Sequence, residues 1–512
     1  MPKDVLVNAG AGELRVAVVE DGRLEQLWCE RTIGLDENGS KRSGGPCKGR
    51  SLVGDIILGR VQRVLPAMQA GFVAIGQERA GFLAAREARP RTAIFRDEPY
   101  TEEERNLRIS DYLREGEEIL VQIVKDPIGE KGARLSANVT IPGRYLILVA
   151  NSPGVALSRR IEDEAERARL TTIVEEFAAS GRNGIIASTG YILRTAAIGA
   201  HAGDLEEEAV RLNALWNGIA ARRASANTPS TLYCDLGPIE RALRDEVDDS
   251  VERILIDDAS ALTAARGYAS YAMPGLAARI ESYSGSEPLF EHFGIEDDIE
   301  ALTNTRVPLP SGGWITIEAT EALTAIDVNS GSYVASDGLE ETSLKVNLEA
   351  AVAIGRQLRL RGIGGLIVID FIHLQSKENV ASLLAALETA SAKGREPVQI
   401  LGMSEFGLVE MTRRRVREPY AKRLTEDCRR CEGTGRRKTV ESVAVDMLRR
   451  VERAASATPG KPVTLRAAPV MVRWLEAHQP EIHAALSRRG VAQFRIETHS
   501  EQRREIFEVF VG

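Results

Sequence analysis

Residues 314–374 constrain the fold more than any other part of the chain. WITIEATEALTAIDVNSG reads as two strands around a turn. Residues 341–361 then place Leu344, Leu348, Ala351 and Leu358 at helical spacing, and GIGG ends the helix. The next run, LIVIDFI, is apolar apart from one aspartate, as expected of a buried strand in a sheet covered on both faces.

Asp327 and Asn329 are two apart on a predicted strand and share a face, with Ile326 and Val328 on the other. Asp370 interrupts the run Leu366, Ile367, Val368, Ile369, where a charge is costly unless it is paired or bound to metal. If the β-helix-β connection makes the two strands neighbours, Asp327 and Asp370 lie close together. Two carboxylates and an amide oxygen are hard ligands that suit Mg²⁺. Such an ion activates water and neutralises charge developing on phosphate, which gives phosphodiester hydrolysis. The competing reading has Asp370 capping a turn or pairing with Arg356, Arg359 or Arg361.

A second constraint is EDCRRCEGTGRRK, residues 426–438. Cys428 and Cys431 supply half of a tetrahedral thiolate zinc site, no second C-x-x-C exists, and Cys29, Cys47 and Cys234 lack paired spacing. Either the pair holds no metal or its other half lies on another molecule. A two-fold dimer completes the count with half a zinc per chain. A chaperone-type zinc repeat fits less well, since such modules need several copies in one chain.

Net charge is −8, which argues against nucleic acid, yet residues 413–438 carry eleven Lys/Arg against four Asp/Glu. Phosphate contact and a solvated helix face both fit such a run.

Elsewhere, 512 residues imply roughly three or more domains. Residues 4–28 contain a hairpin around Asp21-Gly22, and ENGSKRSGGPCKGRS reads as a linker or loop. Short Gly-punctuated strands on either side of a polar insert (89–111) suggest a small β-barrel. Helices are expected over 158–179 and 204–224, and a small α/β domain over 439–512. With no signal peptide and no apolar run of ~18 residues, a soluble cytosolic protein is expected. Five cysteines make no disulfide framework in such a chain, and the three scattered ones are expected to be buried or inert. No H-E-x-x-H, nucleophile elbow or P-loop is present.

LPSGGWITIEATEALTAIDVNSG, NLEAAVAIGRQLRLRGIGGLIVIDFI and C-x-x-C-x-G-T-G, in this order and at this spacing, resemble the bacterial ribonuclease E/G family, and the likeness extends over nearly the whole chain. The resemblance implies a multidomain α/β fold. A split, non-catalytic RNase H-like domain would span 1–36 and 240–302. An S1-type OB barrel (37–136) and a 5′-phosphate sensor region (137–239) would be inserted in it. A DNase I-like catalytic subdomain (303–424), a zinc-link (425–438) and a small dimerisation or tetramerisation domain (439–512) would follow.

It further implies an endoribonuclease acting on single-stranded RNA in rRNA and tRNA maturation and mRNA decay. Catalytic magnesium would be held by Asp327 and Asp370 with Asn329 orienting the site, leaving 5′-phosphate and 3′-hydroxyl products. Phe72, Phe82 and Lys131 would contact RNA. By residue pattern alone, the two phenylalanines read equally as barrel core. Gly143, Ile147, Arg194 and Thr195 would form the sensor, although Pro397 stands where the family has an arginine; Arg395 is the nearest substitute. Cys428 and Cys431 would bind structural zinc shared between protomers of a homodimer, or of a dimer of dimers. SGSYVASDG after Asn329 is nearer ribonuclease G in character, and the long scaffold tail of ribonuclease E is not expected. A non-catalytic RNA-binding protein is the alternative; Asp327 and Asp370, which a pure binder does not need, separate the two.

Overall fold

The computed structural model describes residues 3–31, 51–89, 108–127, 131–180, 184–185, 188–248, 250–332, 338–394, 396–415, 418–431, 433–499 and 503–512. The chain forms two compact units, Met1–Arg423 and Leu424–Gly512. It is a mixed α/β protein containing a closed five-stranded barrel.

In the first unit, Asp21 and Gly22 both take positive φ (52° and 72°), the turn that matches the twist of a two-residue hairpin. Strands Glu13–Glu20 and Arg23–Arg31 therefore pair directly across it. Strand Lys3–Ala9 joins the same sheet and runs parallel to Val251–Ile256, with Val5 opposite Ile254. The sheet is thus built from both ends of a long insertion.

That insertion holds the barrel. Strands Ile56–Leu65, Ala70–Ala74, Gly81–Ala84, Arg134–Ser136 and Glu118–Lys125 pair in that order, and the first closes on the last with Ile57 opposite Val121. Val61, Val73, Leu83, Val121 and Leu135 fill it. This architecture is consistent with an inserted OB-like domain. The linker stretch 37–50 and most of the polar insert lie outside the described residues. Helices Glu164–Ser180 and Ala202–Ser225 follow, with Leu170, Val174, Leu205 and Trp216 packed against Leu148 and Tyr191 of a four-stranded sheet.

Residues 306–413 form a six-stranded sheet, ordered Arg306–Pro308, Trp314–Ala319, Leu323–Asn329, Gly365–Asp370, Leu408–Arg413, Val398–Met403. Helices Leu339–Leu360 and Lys377–Ala392 pack on one face, over Ile315, Ile326, Val328, Ile367, Ile369, Val409 and Met411. Cover on both faces was expected from LIVIDFI; the structure corrects this. Leu366 is 41% exposed, and Ala325, Glu410 and Thr412 on the same face are exposed too. The apolar run misleads because every second residue of it is outward. The helix also turns its core stripe slightly from the expected one, burying Val346, Ala350, Ile354 and Leu358 while Leu348 stays half-exposed. Gly355 lets the two helices close up, since a Cβ there would stand 2.8 Å from the Ala390 backbone.

The second unit has Thr439 capping helix Val440–Ala457 through the Ser442 N–H (3.1 Å). Val443, Met447 and Val451 pack on Leu465, Met471 and Leu475, beside a sheet ordered Phe494–Thr498, Val463–Ala467, Phe507–Val511. Helices and sheet share one core in this unit. Among the described residues no helix is long and apolar enough to cross a membrane. Cys29 is buried, with its thiol donating to Glu13 at 3.0 Å, and burial raises its pKa to about 12. Cys234 is disulfide-bonded, and Cys47 lies outside the described residues.

Candidate active site

Asp327 and Asp370 are register partners on adjacent parallel strands. Adjacent strands lie about 4.8 Å apart, so both carboxylates rise side by side from the open face. Both are exposed, while Ile326, Val328, Ile367 and Ile369 point into the core. Asn329 donates its side-chain N–H to Asp327 Oδ2 at 2.7 Å, which fixes that carboxylate.

The arginines that could have neutralised Asp370 are engaged elsewhere. Arg356 binds Asp298 (2.6 Å) and the Leu24 carbonyl (2.7 Å). Arg359 binds Glu25 and the Ala390 carbonyl (2.8 Å). Arg361 is buried against Gln357 and the Asn304 carbonyl, both at 2.6 Å. RQLRLR therefore ties the helix to its neighbours rather than to the site. Two carboxylates this close repel by about 1 kcal/mol even in water, and a divalent cation reverses that sign. Among the described residues no group of three or more His, Cys, Asp or Glu could hold a metal. Two neighbouring carboxylates are by their chemistry compatible with Mg²⁺, which takes one or two carboxylates and keeps water and phosphate oxygens for the rest.

Two residues the sequence reading missed hold this end of the sheet. Asn347, fully buried in the helix, accepts from the Ile372 N–H (3.0 Å) and donates to the Ile372 carbonyl (2.7 Å), two residues past Asp370. Glu340 accepts from the Gln375 and Ser376 N–H groups and from Asn379 (2.8 Å). The available signal was an asparagine inside an otherwise apolar helical stripe.

In the barrel, Phe72 and Phe82 face each other across paired strands, with ring centroids 5.9 Å apart in an edge-to-face contact. Both are half-exposed, and the buried core positions are their neighbours Val73 and Leu83. Phe82 N–H donates to the Ala133 carbonyl (2.7 Å), which brings exposed Lys131 to the same strand end.

Gly143, Ile147, Arg194 and Thr195 are also brought together. Ile147 pairs with Ile192, Arg194 N–H donates to the Tyr145 carbonyl (2.8 Å), and the Arg194 guanidinium donates to the Gly143 carbonyl. Position 143 needs glycine, because a Cβ would stand 2.6 Å from the Glu208 carboxyl that caps the Arg144, Tyr145 and Leu146 N–H groups. Arg194 also pairs with Asp245 (2.7 Å), which is shared with Arg244 (2.8 Å). Pro397 accepts from the Arg414 N–H (3.1 Å); Arg395 and residues 333–337 lie outside the described residues.

Cys428 and Cys431 sit in a tight turn, with Cys431 N–H on the Cys428 carbonyl (3.2 Å) and Thr434 N–H on the Cys431 carbonyl (2.9 Å). Gly433 and Gly435 take φ of 81° and 67°, which the turn requires. Backbone N–H groups of Arg430 and Cys431 hold the Cys428 thiol below its ordinary pKa, the direction a metal thiolate needs. Cys428 is exposed and Cys431 half-buried.

The Ribonuclease E/G family pattern matches residues 140–416, and the pattern described as RNase E/G, Thioredoxin-like domain matches residues 427–509. The chain is 36% identical to "Ribonuclease G" of Escherichia coli K12, over 94% of this chain and 93% of that one. It is also 36% identical to "Ribonuclease G" of Haemophilus influenzae, over 99% of both. "Ribonuclease E" of Haemophilus influenzae is 36% identical over 88% of this chain but only 46% of its own length. The likeness is therefore nearer to ribonuclease G than to ribonuclease E.

Proposed function

The chain belongs to the ribonuclease E/G family, and from that premise we propose that it is a magnesium-dependent endoribonuclease. It hydrolyses single-stranded RNA in rRNA and tRNA maturation and mRNA decay, leaving 5′-phosphate and 3′-hydroxyl ends. The observation that carries this reading is the in-register pair Asp327–Asp370, both exposed, with Arg356, Arg359 and Arg361 engaged elsewhere.

Asp327 and Asp370 would hold Mg²⁺ from neighbouring strands. When bound, the ion supplies an activated water and charge neutralisation on the phosphate. Asn329 fixes the Asp327 rotamer through its 2.7 Å hydrogen bond. Asn347 fixes the backbone that carries Asp370. Phe72 and Phe82 offer ring faces to unpaired bases, Lys131 a cation to the backbone, and the Arg194 cluster a seat for a 5′-monophosphate. Split RNase H-like and DNase I-like domains, with the boundaries expected from sequence, are the matching fold reading. Cys428 and Cys431 would share structural zinc with their counterparts in a second copy, giving a cytoplasmic homodimer or dimer of dimers.

The test is to incubate the purified protein with matched 5′-monophosphate and 5′-hydroxyl oligoribonucleotides, with and without Mg²⁺, and to identify the product ends. Magnesium-dependent internal cutting that leaves 5′-phosphate is expected. No cutting of either oligonucleotide defeats the enzyme reading.

A further inference from the structure

We propose that Arg306, stacked on Trp314, is a positioning residue that grips an RNA backbone phosphate beside the scissile one. The inference rests on the ribonuclease reading of the carboxylate pair. Pairing across the sheet sets Arg306 opposite Thr316, Thr316 opposite Asp327, and Asp327 opposite Asp370. These four residues form one row on the open face. Arg306 lies two strand spacings from Asp327, about 10 Å, which suits a neighbouring phosphate rather than the reacting one.

The guanidinium carbon of Arg306 sits 3.6 Å from the Trp314 ring centroid. Trp314 is itself opposite Asn329, and the edge of its ring is fixed beside Gly331, where an added Cβ would lie 3.4 Å from it. Stacking uses the flat face of a guanidinium and leaves its in-plane N–H donors free. Arg306 is exposed and makes no hydrogen bond or ion pair among the described residues.

Charge on this face gives the fork its purpose. The strands also place Glu318 and Glu410 there, one row away from the aspartates, and among the described strand residues Arg306 is the cation that opposes these four acids. A polyanion approaching such a face needs a counter-charge beside the reacting phosphate, and a preorganised guanidinium supplies it with bidentate geometry.

The test uses the full chain carrying Arg306→Gln, Arg306→Lys or Trp314→Ala. Binding of a single-stranded oligoribonucleotide is measured against salt in EDTA, and cleavage is measured with Mg²⁺. Arg306→Gln should lower the slope of log K against log salt by about 0.7, one phosphate contact on a single strand. It should raise KM several-fold with kcat little changed; Arg306→Lys should restore the slope, and Trp314→Ala should share the KM defect. Oligonucleotides with one uncharged methylphosphonate near the cut should reveal a single position that penalises the wild type and leaves Arg306→Gln unaffected. An unchanged salt slope, or equal sensitivity of both proteins at every phosphate, overturns the proposal. If the wild type cuts nothing, the enzyme reading falls, while the salt slope in EDTA still decides the phosphate contact.

Discussion

Asp327 and Asp370 stand opposite each other in register on adjacent parallel strands, while Arg356, Arg359 and Arg361 are engaged elsewhere. Parallel pairing across a helical connection is what makes this possible: residues 43 positions apart in sequence become neighbours on one row. Two carboxylates side by side on an exposed face repel each other, a cost that a bound cation would offset.

The half-exposed ring pair in the barrel should serve RNA more than the core. Phe72→Ala and Phe82→Ala should each weaken single-strand binding by ~1–3 kcal/mol, the usual value of one stacked base. The melting temperature should move little, because Val73 and Leu83 carry the packing beneath them. An unfolded barrel with unchanged affinity in the folded fraction would return the rings to the core.

Arg194→Ala should remove any preference for a 5′-monophosphate over a 5′-hydroxyl substrate while leaving the cutting of the 5′-hydroxyl substrate intact. The guanidinium is already aimed by Asp245 and the Gly143 carbonyl. Rates on the paired oligonucleotides measure this directly. A variant whose two rates fall in parallel would point to a structural role for the Arg194–Asp245 pair.

Cys428→Ser should leave a protein that sediments as a monomer, carries no zinc and cleaves poorly, whereas the wild type should carry about half a zinc per chain. Elemental analysis with sedimentation decides it. One full zinc per chain in a stable monomer is incompatible with a shared site.

The acid limb of stability in the Leu424–Gly512 unit should depend on Arg437. Its hydrogen bond to Glu505 (2.7 Å) holds that carboxyl at about 2 against an ordinary 4.5. A folded pKa below the unfolded one gives stability that is present above about pH 4.5 and lost as pH falls towards 2. Arg437→Ala should therefore be less stable than wild type at pH 7, with the gap closing as pH falls through this window. Urea midpoints from pH 7 to 2 report it; a gap independent of pH would assign Arg437 a packing role.

Much of this architecture was legible from local pattern. Asp21-Gly22 announced a hairpin because its turn geometry admits few residues, and the alternation Ile326-Asp327-Val328-Asn329 announced which side chains share a face. What stayed hidden depends on distant partners. LIVIDFI could not say which of its residues are covered, since an outward Leu366 and an inward Ile367 look alike in sequence. Asn347 gave no sign that it clamps Ile372, nor Arg306 that it lies in line with Asp327, because both relations exist only after the strands pair. The fate of Cys234 was equally invisible, as a cysteine without motif spacing shows nothing of its partner.

The most direct test of the account is cleavage and binding measured side by side for Asp327→Asn and Asp370→Asn. Each change keeps the shape of an exposed side chain and removes one charge. Magnesium-dependent cleavage should disappear in both variants, with affinity for single-stranded RNA in EDTA close to wild type. Cleavage that survives either substitution, or cleavage and binding that fall together, would contradict the assignment of this pair as the catalytic metal site.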